Sequence, residues 1–333
     1  MDKITLGHGS GGRLMHQLID SVFMKEFANP ILGRKDDSAI VEVAGSPIAF
    51  TTDTYVVDPI FFPGGDIGSL AVYGTVNDLS VCGARPLYIS LGLVIAEGLE
   101  KSTLGKIASS IAKAAKASGV KIVTGDTKVV ERGSCDKIFI NTSGIGEVYY
   151  GGLSAGRIRP GDVVIASGPV GDHAISVLSK REGIAFRTTV RSDSAPLNAL
   201  IHKALRVSKK VRVMRDPTRG GLATTLNEFV AGASFGIALD EESVPVREGV
   251  AQACELLGFD PLYLACEGRV VFVVAKEDGP KILRAVRADK NGRQAAVIGV
   301  VTGEQKTKVY LNTIAGGTRV LGMLAGEQLP RIC

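Results

Sequence analysis

Residues 119–128 read Gly-Val-Lys-Ile-Val-Thr-Gly-Asp-Thr-Lys. Gly119 stops a helix that Ser102 caps and that runs to about Ser118. Val120–Val123 is a short β-branched strand, and Asp126 follows it in a tight turn. The same grammar recurs on both sides. Toward the N-terminus, Ser38–Ala44 and Pro47–Thr52 form a strand pair joined at Gly45-Ser46. Asp66–Cys82 is a helix stopped by Gly83 and Pro86, and Leu87–Ile95 is a strand. Toward the C-terminus, Lys137–Glu147 is a strand, and a Gly-rich break follows at Gly151-Gly152 and Gly156. The second half opens on the turn Arg159-Pro160-Gly161-Asp162 and the strand Val163–Ser167. Helices are expected over 172–181, 196–207, 220–233, 249–257 and 277–288, and strands over 269–275, 296–301 and 308–311. From Gly316-Gly317 to Cys333 periodicity is weak. The expectation is an α+β chain with domains 1–155 and 156–317 and a flexible tail, 318–333.

At 333 residues the chain is long enough for about two domains. Glycine supplies 41 of 333 residues against a typical ~7%, without a Gly-X-Y period. Such glycines serve tight turns and close backbone approach to a ligand. Aromatic residues are few, which argues against a stacking platform for single-stranded nucleic acid. The net charge of +5 comes from scattered basic residues. Their densest group, Arg206, Lys209, Lys210 and Arg212, reads as a solvated face rather than a nucleic-acid patch. Cys82, Cys135, Cys254, Cys266 and Cys333 are odd in number and contain no CxxC, so neither a disulfide framework nor a zinc knuckle is indicated. No apolar leader opens the chain, and no run approaches the ~20 residues of a membrane helix. A reduced, cytoplasmic protein without nucleic-acid or membrane partners is expected.

Asp37, Asp53, Asp126 and Asp216 stand after strands or in tight turns, whereas Asp78 lies inside an apolar helix of small residues. Turn or cap duty accounts for any one of the first four. It does not account for Asp78, whose burial is costly without a partner. Several carboxylates together suit a hard divalent cation that bridges to phosphate oxygens. Gly7-His8-Gly9-Ser10-Gly11-Gly12-Arg13 leads into a helix from about Arg13. Its backbone N–H groups suit an anion, with a flexible terminus as the alternative. It is not a Walker A loop, because the Gly-Lys-Ser/Thr ending is missing. Ser167–His173 repeats the pattern after a strand, with His173 at a helix start. Cys333 is the last residue and reads as a free, mobile, accessible thiol whose thiolate is a strong nucleophile. The tail beyond Gly317 spans up to about 50 Å when extended, so it can visit a partner's active site and its own.

Taken together, these segments resemble the HypE family of hydrogenase maturation factors, the carbamoyl dehydratases. The resemblance runs over essentially the whole chain. It is carried by His8-Gly-Ser-Gly-Gly, Thr52-Asp53-Thr54, Asp58-Pro-Ile-Phe-Phe-Pro-Gly-Gly, Asn77-Asp78, Val123-Thr-Gly-Asp-Thr-Lys-Val-Val, Gly171-Asp-His, Arg215-Asp-Pro-Thr-Arg-Gly-Gly, Glu255-Leu-Leu-Gly, Glu267-Gly and the terminal Pro-Arg-Ile-Cys. Pro217 departs from the family pattern, which often has a smaller residue there.

The resemblance implies a PurM-like fold, as in aminoimidazole ribonucleotide synthetase and selenophosphate synthase. Domain 1–155 then serves ATP binding and dimerisation, two such domains form a barrel-like homodimer core, and ATP and Mg²⁺ lie between the domains. It further implies that HypF carbamoylates Cys333, that ATP drives dehydration of the thiocarboxamide to a thiocyanate, and that the HypC–HypD complex accepts the cyano group. Gly9, Ser10, Gly11, Gly12, Asp53, Thr54, Asn77 and Thr127 would contact ATP. Asp37, Asp53, Asp78, Asp126 and Asp216 would hold Mg²⁺. Glu267 and Lys128 would handle the amide protons, and His173 would contact phosphate or the thiol. Two alternatives stand beside this: another ATP-using enzyme of the fold group, such as a selenophosphate synthase or small-molecule kinase, and a non-enzymatic thiol or metal carrier.

Overall fold

The computed structural model describes residues 3–181, 188–326, 329 and 331–333. Two short helices, α1 (Arg13–Leu18) and α2 (Met24–Phe27), precede strands β1 (Ala39–Val43) and β2 (Ser46–Tyr55). A small ribbon, β3 (Phe61–Phe62) and β4 (Gly65–Asp66), leads to helix α3 (Ile67–Val81). Then come strand β5 (Ala84–Ala96), helix α4 (Lys101–Ser118), and strands β6 (Lys121–Val130) and β7 (Ile138–Val148). The sheet order is β1-β2-β7-β5-β6. Only β5 and β6 pair in parallel, and α4 is the crossover such a pair requires.

Helix α3 is buried on nearly every side, between the sheet and α4. That is why its sequence is apolar all round rather than striped. Asp66 caps it by accepting the N–H groups of Gly68 and Ser69. Gly74 stands mid-helix, where glycine costs about 1 kcal/mol relative to alanine. A Cβ there would sit 2.1 Å from the Tyr55 hydroxyl, so close packing of β2 on α3 explains it.

The second half contains β8 (Val163–Ala166), α5 (Asp172–Leu178), α6 (Asn198–Val207), β9 (Val211–Arg215), α7 (Gly221–Val230) and β10 (Gly236–Asp240). It continues through α8 (Glu248–Leu257), β11 (Val271–Val274), α9 (Gly279–Arg287), β12 (Ala296–Thr302), β13 (Val309–Asn312) and β14 (Thr318–Leu321). Its sheet runs β14-β13-β10-β12-β8-β11-β9. Strands β8 and β11 are buried on both faces. Val164, Val271 and Val273 pack toward α7, while Ile165, Phe272 and Val274 pack toward α6 and α9, the period-two division of a covered sheet.

Three differences from the sequence reading matter for the site. Strand β6 does not end at Val123: pairing with β5 carries it to Val130, so Asp126 lies in an edge strand and not in a turn. Strand β2 likewise runs through Asp53 and Thr54. The expected flexible tail from 318 begins too early, because Thr318–Leu321 pairs with β13. Strands β9 and β10 were not expected from sequence either. No helix among the described residues is long and apolar enough to cross a membrane.

Candidate active site

Three carboxylates from distant parts of the chain converge. Asp37 precedes β1, Asp78 stands near the end of α3, and Asp216 follows β9. Ligand atoms from the three lie within 4.8 Å of one another. Burial pushes Asp37 up to about 6 against the pull of Arg215. Burial and then the charge of Asp37 push Asp216 up to about 8. Asp78 is raised as well, by burial first and then by Asp216 and Asp53. Its Oδ2 lies 2.9 Å from the Thr51 hydroxyl. Like charges gathered in a dry site without full compensation fit a divalent cation, which offers hard charge to oxygen ligands. Arg215 offsets part of the charge, donating to Asp37 at 3.1 Å, to Glu228, and to the Lys35 carbonyl at 2.9 Å.

Cys333 lines the same cleft, with Asp53, Tyr55, Arg219 and Glu267. The tail is therefore docked, contrary to the expectation of a free and accessible thiol. Its backbone runs beside residues 56–58. The Val56 N–H donates to the Cys333 carbonyl at 3.1 Å, and the Asp58 N–H donates to that of Arg331 at 3.2 Å. Arg181 also donates to the Arg331 carbonyl, at 2.7 Å. The Ile332 side chain is buried in an apolar cluster to which both domains contribute, and the Arg331 guanidinium pairs with Asp136 at 2.7 Å. Burial and the neighbouring Glu267 push the Cys333 thiol well above its ordinary range, with Arg219 opposing. Docked, the sulfur is a thiol and not a thiolate. Pro330, part of the terminal motif, lies outside the described residues.

Glu267 is buried in the turn before β11, and its Oε1 has no hydrogen bond among the described residues. Burial, then Asp216, Asp53 and Asp193, raise its pKa well above the carboxylate range. The backbone around it is held firmly. The Asp193 carboxylate accepts the N–H groups of Glu267 and Gly268 at 3.3 and 3.2 Å. A Cβ on Gly268 would lie 1.8 Å from the Asp193 carbonyl, so only glycine fits there.

Other expected residues fall elsewhere. Asn77 is buried and saturated: its amide donates to the carbonyls of Ala195 and Glu267, and its oxygen accepts from Leu197. It ties the residues around Ala195 and Leu197 to the Glu267 backbone, and it does not line the acidic cleft. His173 touches neither thiol nor phosphate space; its Nε2 meets the Ile332 carbonyl at 2.8 Å. Asp126, Thr127 and Lys128 are exposed on β6, with Lys128 paired to Asp126 at 2.9 Å, and none of them lines this cleft. Thr54 is also exposed, accepting from Asn141 at 2.9 Å. Gly9, Ser10 and Thr54 border a neighbouring cleft that Arg219 and Cys333 also line. The glycine loop is packed there: a Cβ on Gly11 would meet Arg219 at 2.6 Å, and one on Gly12 the Leu324 carbonyl at 2.2 Å. Sequence reasoning missed Arg219, the cation whose charge faces Cys333, Asp53 and Glu267. The Pro217 carbonyl accepts the Cys266 N–H at 3.0 Å.

Residues 35–148 match the N-terminal domain of the AIR synthase related protein family, and residues 159–312 match its C-terminal domain. The chain is 49% identical to carbamoyl dehydratase HypE of Bradyrhizobium diazoefficiens over 99% of this chain and 96% of that one. It is similar to the structure of a HypE–HypF complex, with 46% identity, TM-score 0.87, and coverage of 92% of this chain and 99% of that one. It is similar as well to HypE in complex with ATP, with 49% identity, TM-score 0.83, and coverage of 99% and 100%. Identity of this extent over the full length settles membership: the chain belongs to the HypE family of carbamoyl dehydratases.

Proposed function

We propose that this chain carries out ATP-dependent dehydration of a thiocarboxamide on Cys333 to a thiocyanate, a source of cyanide ligands for the iron of [NiFe]-hydrogenase. One observation carries the reading: the Cys333 side chain is seated in the acidic interdomain cleft beside Glu267. Two of the similar solved structures are a HypE with ATP and a HypE with HypF, which supports ATP as co-substrate and HypF as carbamoyl donor. The HypC–HypD complex is the proposed acceptor, and the compartment is the cytoplasm.

The chemistry balances. The amide oxygen of the thiocarboxamide attacks the γ-phosphorus and ADP leaves. Two N–H protons are then removed, the carbon–oxygen bond breaks, and phosphate departs with that oxygen, leaving a carbon–nitrogen triple bond. An amide oxygen is a poor leaving group and phosphate a good one, which is the reason for the ATP. Phosphoryl transfer needs positioning and charge neutralisation more than covalent help. Asp37, Asp78 and Asp216 would hold Mg²⁺, with Asp53 beside them. The ion, when bound, offsets negative charge on phosphate oxygens. Gly9 and Ser10 line the adjoining cleft, with Gly11 and Gly12 packed behind them, and backbone N–H groups of such a loop suit phosphate. Glu267, in its carboxylate form, would accept an amide proton from the thiocarboxamide on Cys333, which lines the same cleft. Dehydration needs no thiolate and suits a docked tail; carbamoylation does need one, and the raised thiol pKa of the docked state means the tail must leave for it.

A homodimer completes the proposal. Phe50, Ile145 and Tyr88 form an exposed cross-strand row on the five-stranded sheet. Strand β6 is exposed along nearly its whole length. Pairing of two such sheets gives a barrel and covers this surface. Asp126, Thr127 and Lys128 then serve a site shared with the second chain. Incubation with HypF, carbamoyl phosphate and ATP, followed by intact mass, tests the reaction. Glu267→Gln should accumulate the carbamoylated tail without losing the mass of one water. Loss of that water at the parent rate would remove Glu267 as the base.

A further inference from the structure

The main-chain oxygens of Arg331 and Cys333 accept from the N–H groups of Asp58 and Val56, and the Ile332 carbonyl lies between them. His173 takes it. The ring is fully buried at the second position of α5, edge-on to Phe62 with centroids 5.3 Å apart. Nε2 lies 2.8 Å from the Ile332 carbonyl oxygen, and Nδ1 lies 2.8 Å from the Ser192 hydroxyl. A carbonyl only accepts, so Nε2 carries the proton. Burial lowers the His173 pKa, with Asp193 opposing, and keeps the ring neutral. Nδ1 of that neutral ring accepts from the Ser192 hydroxyl. Ser192 Oγ in turn accepts the Ser194 N–H at 3.0 Å, and the Ser192 N–H is fixed on the Pro63 carbonyl at 2.8 Å. Proton donation thus runs in one direction, from the Ser194 backbone through Ser192 and His173 to the tail.

We infer that His173 is a positioning residue for the C-terminal cysteine, its Nε2–H held in that tautomer by Ser192 and setting how firmly the tail docks. The inference deepens the proposed dehydration and rests on it for its functional meaning, but docking itself is measurable without any turnover. A bond to a backbone carbonyl reads no side chain, so this contact fixes depth and register, while the buried Ile332 side chain supplies recognition. Release of the tail leaves the Nε2–H facing the vacated groove, so the contact is made only in the docked state. That makes it a control on the balance between a tail available to a partner and a tail seated beside Glu267.

The test is the rate of Cys333 alkylation by iodoacetamide in the full-length protein, read by mass spectrometry of the tail peptide, with buried Cys266 as the internal monitor of unfolding. His173→Ala should raise Cys333 labelling about five- to tenfold, the effect of one lost hydrogen bond. His173→Gln, whose amide N–H reaches toward the Nε2 position, should return labelling to within about twofold of the parent. Ser192→Ala, which removes the tautomer lock without touching the tail, should raise it about two- to threefold. Unchanged labelling in both alanine variants overturns the inference. So does a rise that Cys266 shares and that glutamine does not rescue, since that marks loss of fold alone. In single-turnover dehydration, His173→Ala should be slowed and His173→Gln restored. Labelling that shifts while dehydration stays at the parent rate keeps the docking role and sinks the cleft as the site of dehydration.

Discussion

Removing the cation from the acidic triad should make the protein's stability fall as pH rises, the reverse of ordinary acid denaturation. The relevant pKa values are raised on folding: Asp216 from 3.8 to about 8, and Asp37 from 3.8 to about 6. Below 3.8 both are protonated in folded and unfolded chains, and the site costs nothing. Between 3.8 and about 8 the folded chain holds protons that the unfolded chain releases, so stability declines with pH. Above about 8 the full cost is present. The Asp216 shift alone corresponds to on the order of 5 kcal/mol. Interacting carboxylates share such a cost, so it belongs to the triad as a unit. At about 2 °C per kcal/mol for a chain of this size, melting in chelator should drop by roughly 10 °C between pH 5 and pH 8.5. If Mg²⁺ binds the ionised carboxylates as proposed, its stabilisation should be near zero at pH 5 and about 3–5 °C at pH 8.5. Asp216→Asn stays neutral throughout. It should melt above the parent at pH 8.5 in chelator, with a flattened pH slope and no Mg²⁺ increment. Differential scanning fluorimetry across this grid decides the matter. A parent that melts at the same temperature at pH 5 and pH 8.5 in chelator, or an asparagine variant that still responds to Mg²⁺, refutes the reasoning.

Two further outcomes are expected. Cys333→Ala should bind ATP and melt within about 2 °C of the parent, because Ile332 and the backbone hold most of the tail, yet accept no carbamoyl group in a HypF assay read by intact mass. Asp78→Asn and Asp126→Asn should each lose ATP turnover by about a hundredfold or more while Cys333 is still carbamoylated. Mixing the two variants should restore part of that turnover if Asp126 serves the second chain's cleft; mixtures as inactive as either variant would assign Asp126 no role across the dimer.

The fold was readable wherever β-branched residues or helical stripes end at a glycine. Helix α4 stops at Gly119, whose φ of +73° is the left-handed conformation that favours glycine. It was unreadable where pairing overrides composition. Thr-Gly-Asp-Thr-Lys has no apolar alternation and becomes strand only because β5 offers a parallel partner along its whole length. Strand β9 was obscured by Arg212 and Arg215, which each have a structural partner: Arg212 binds Asp162, and Arg215 binds Asp37 and Glu228.

The candidate site divides in the same way. Asp78 could be singled out because a carboxylate inside an apolar helix has no cheap explanation. The partners of Asn77 beside it, at Ala195, Leu197 and Glu267, lie more than a hundred residues away, and nothing in the Asn-Asp dipeptide names them. Arg219 shares the run Arg-Asp-Pro-Thr-Arg with Arg215, and only the fold separates the arginine that braces Asp37 from the one that faces the thiol. The tail is the extreme case. Three consecutive main-chain oxygens anchor its backbone, and such an oxygen carries no sequence signal. Ile332, an apolar residue beside a terminal thiol, was the one side chain able to signal a docked end. Its burial in an apolar cluster built from both domains is what makes the tail part of the candidate site.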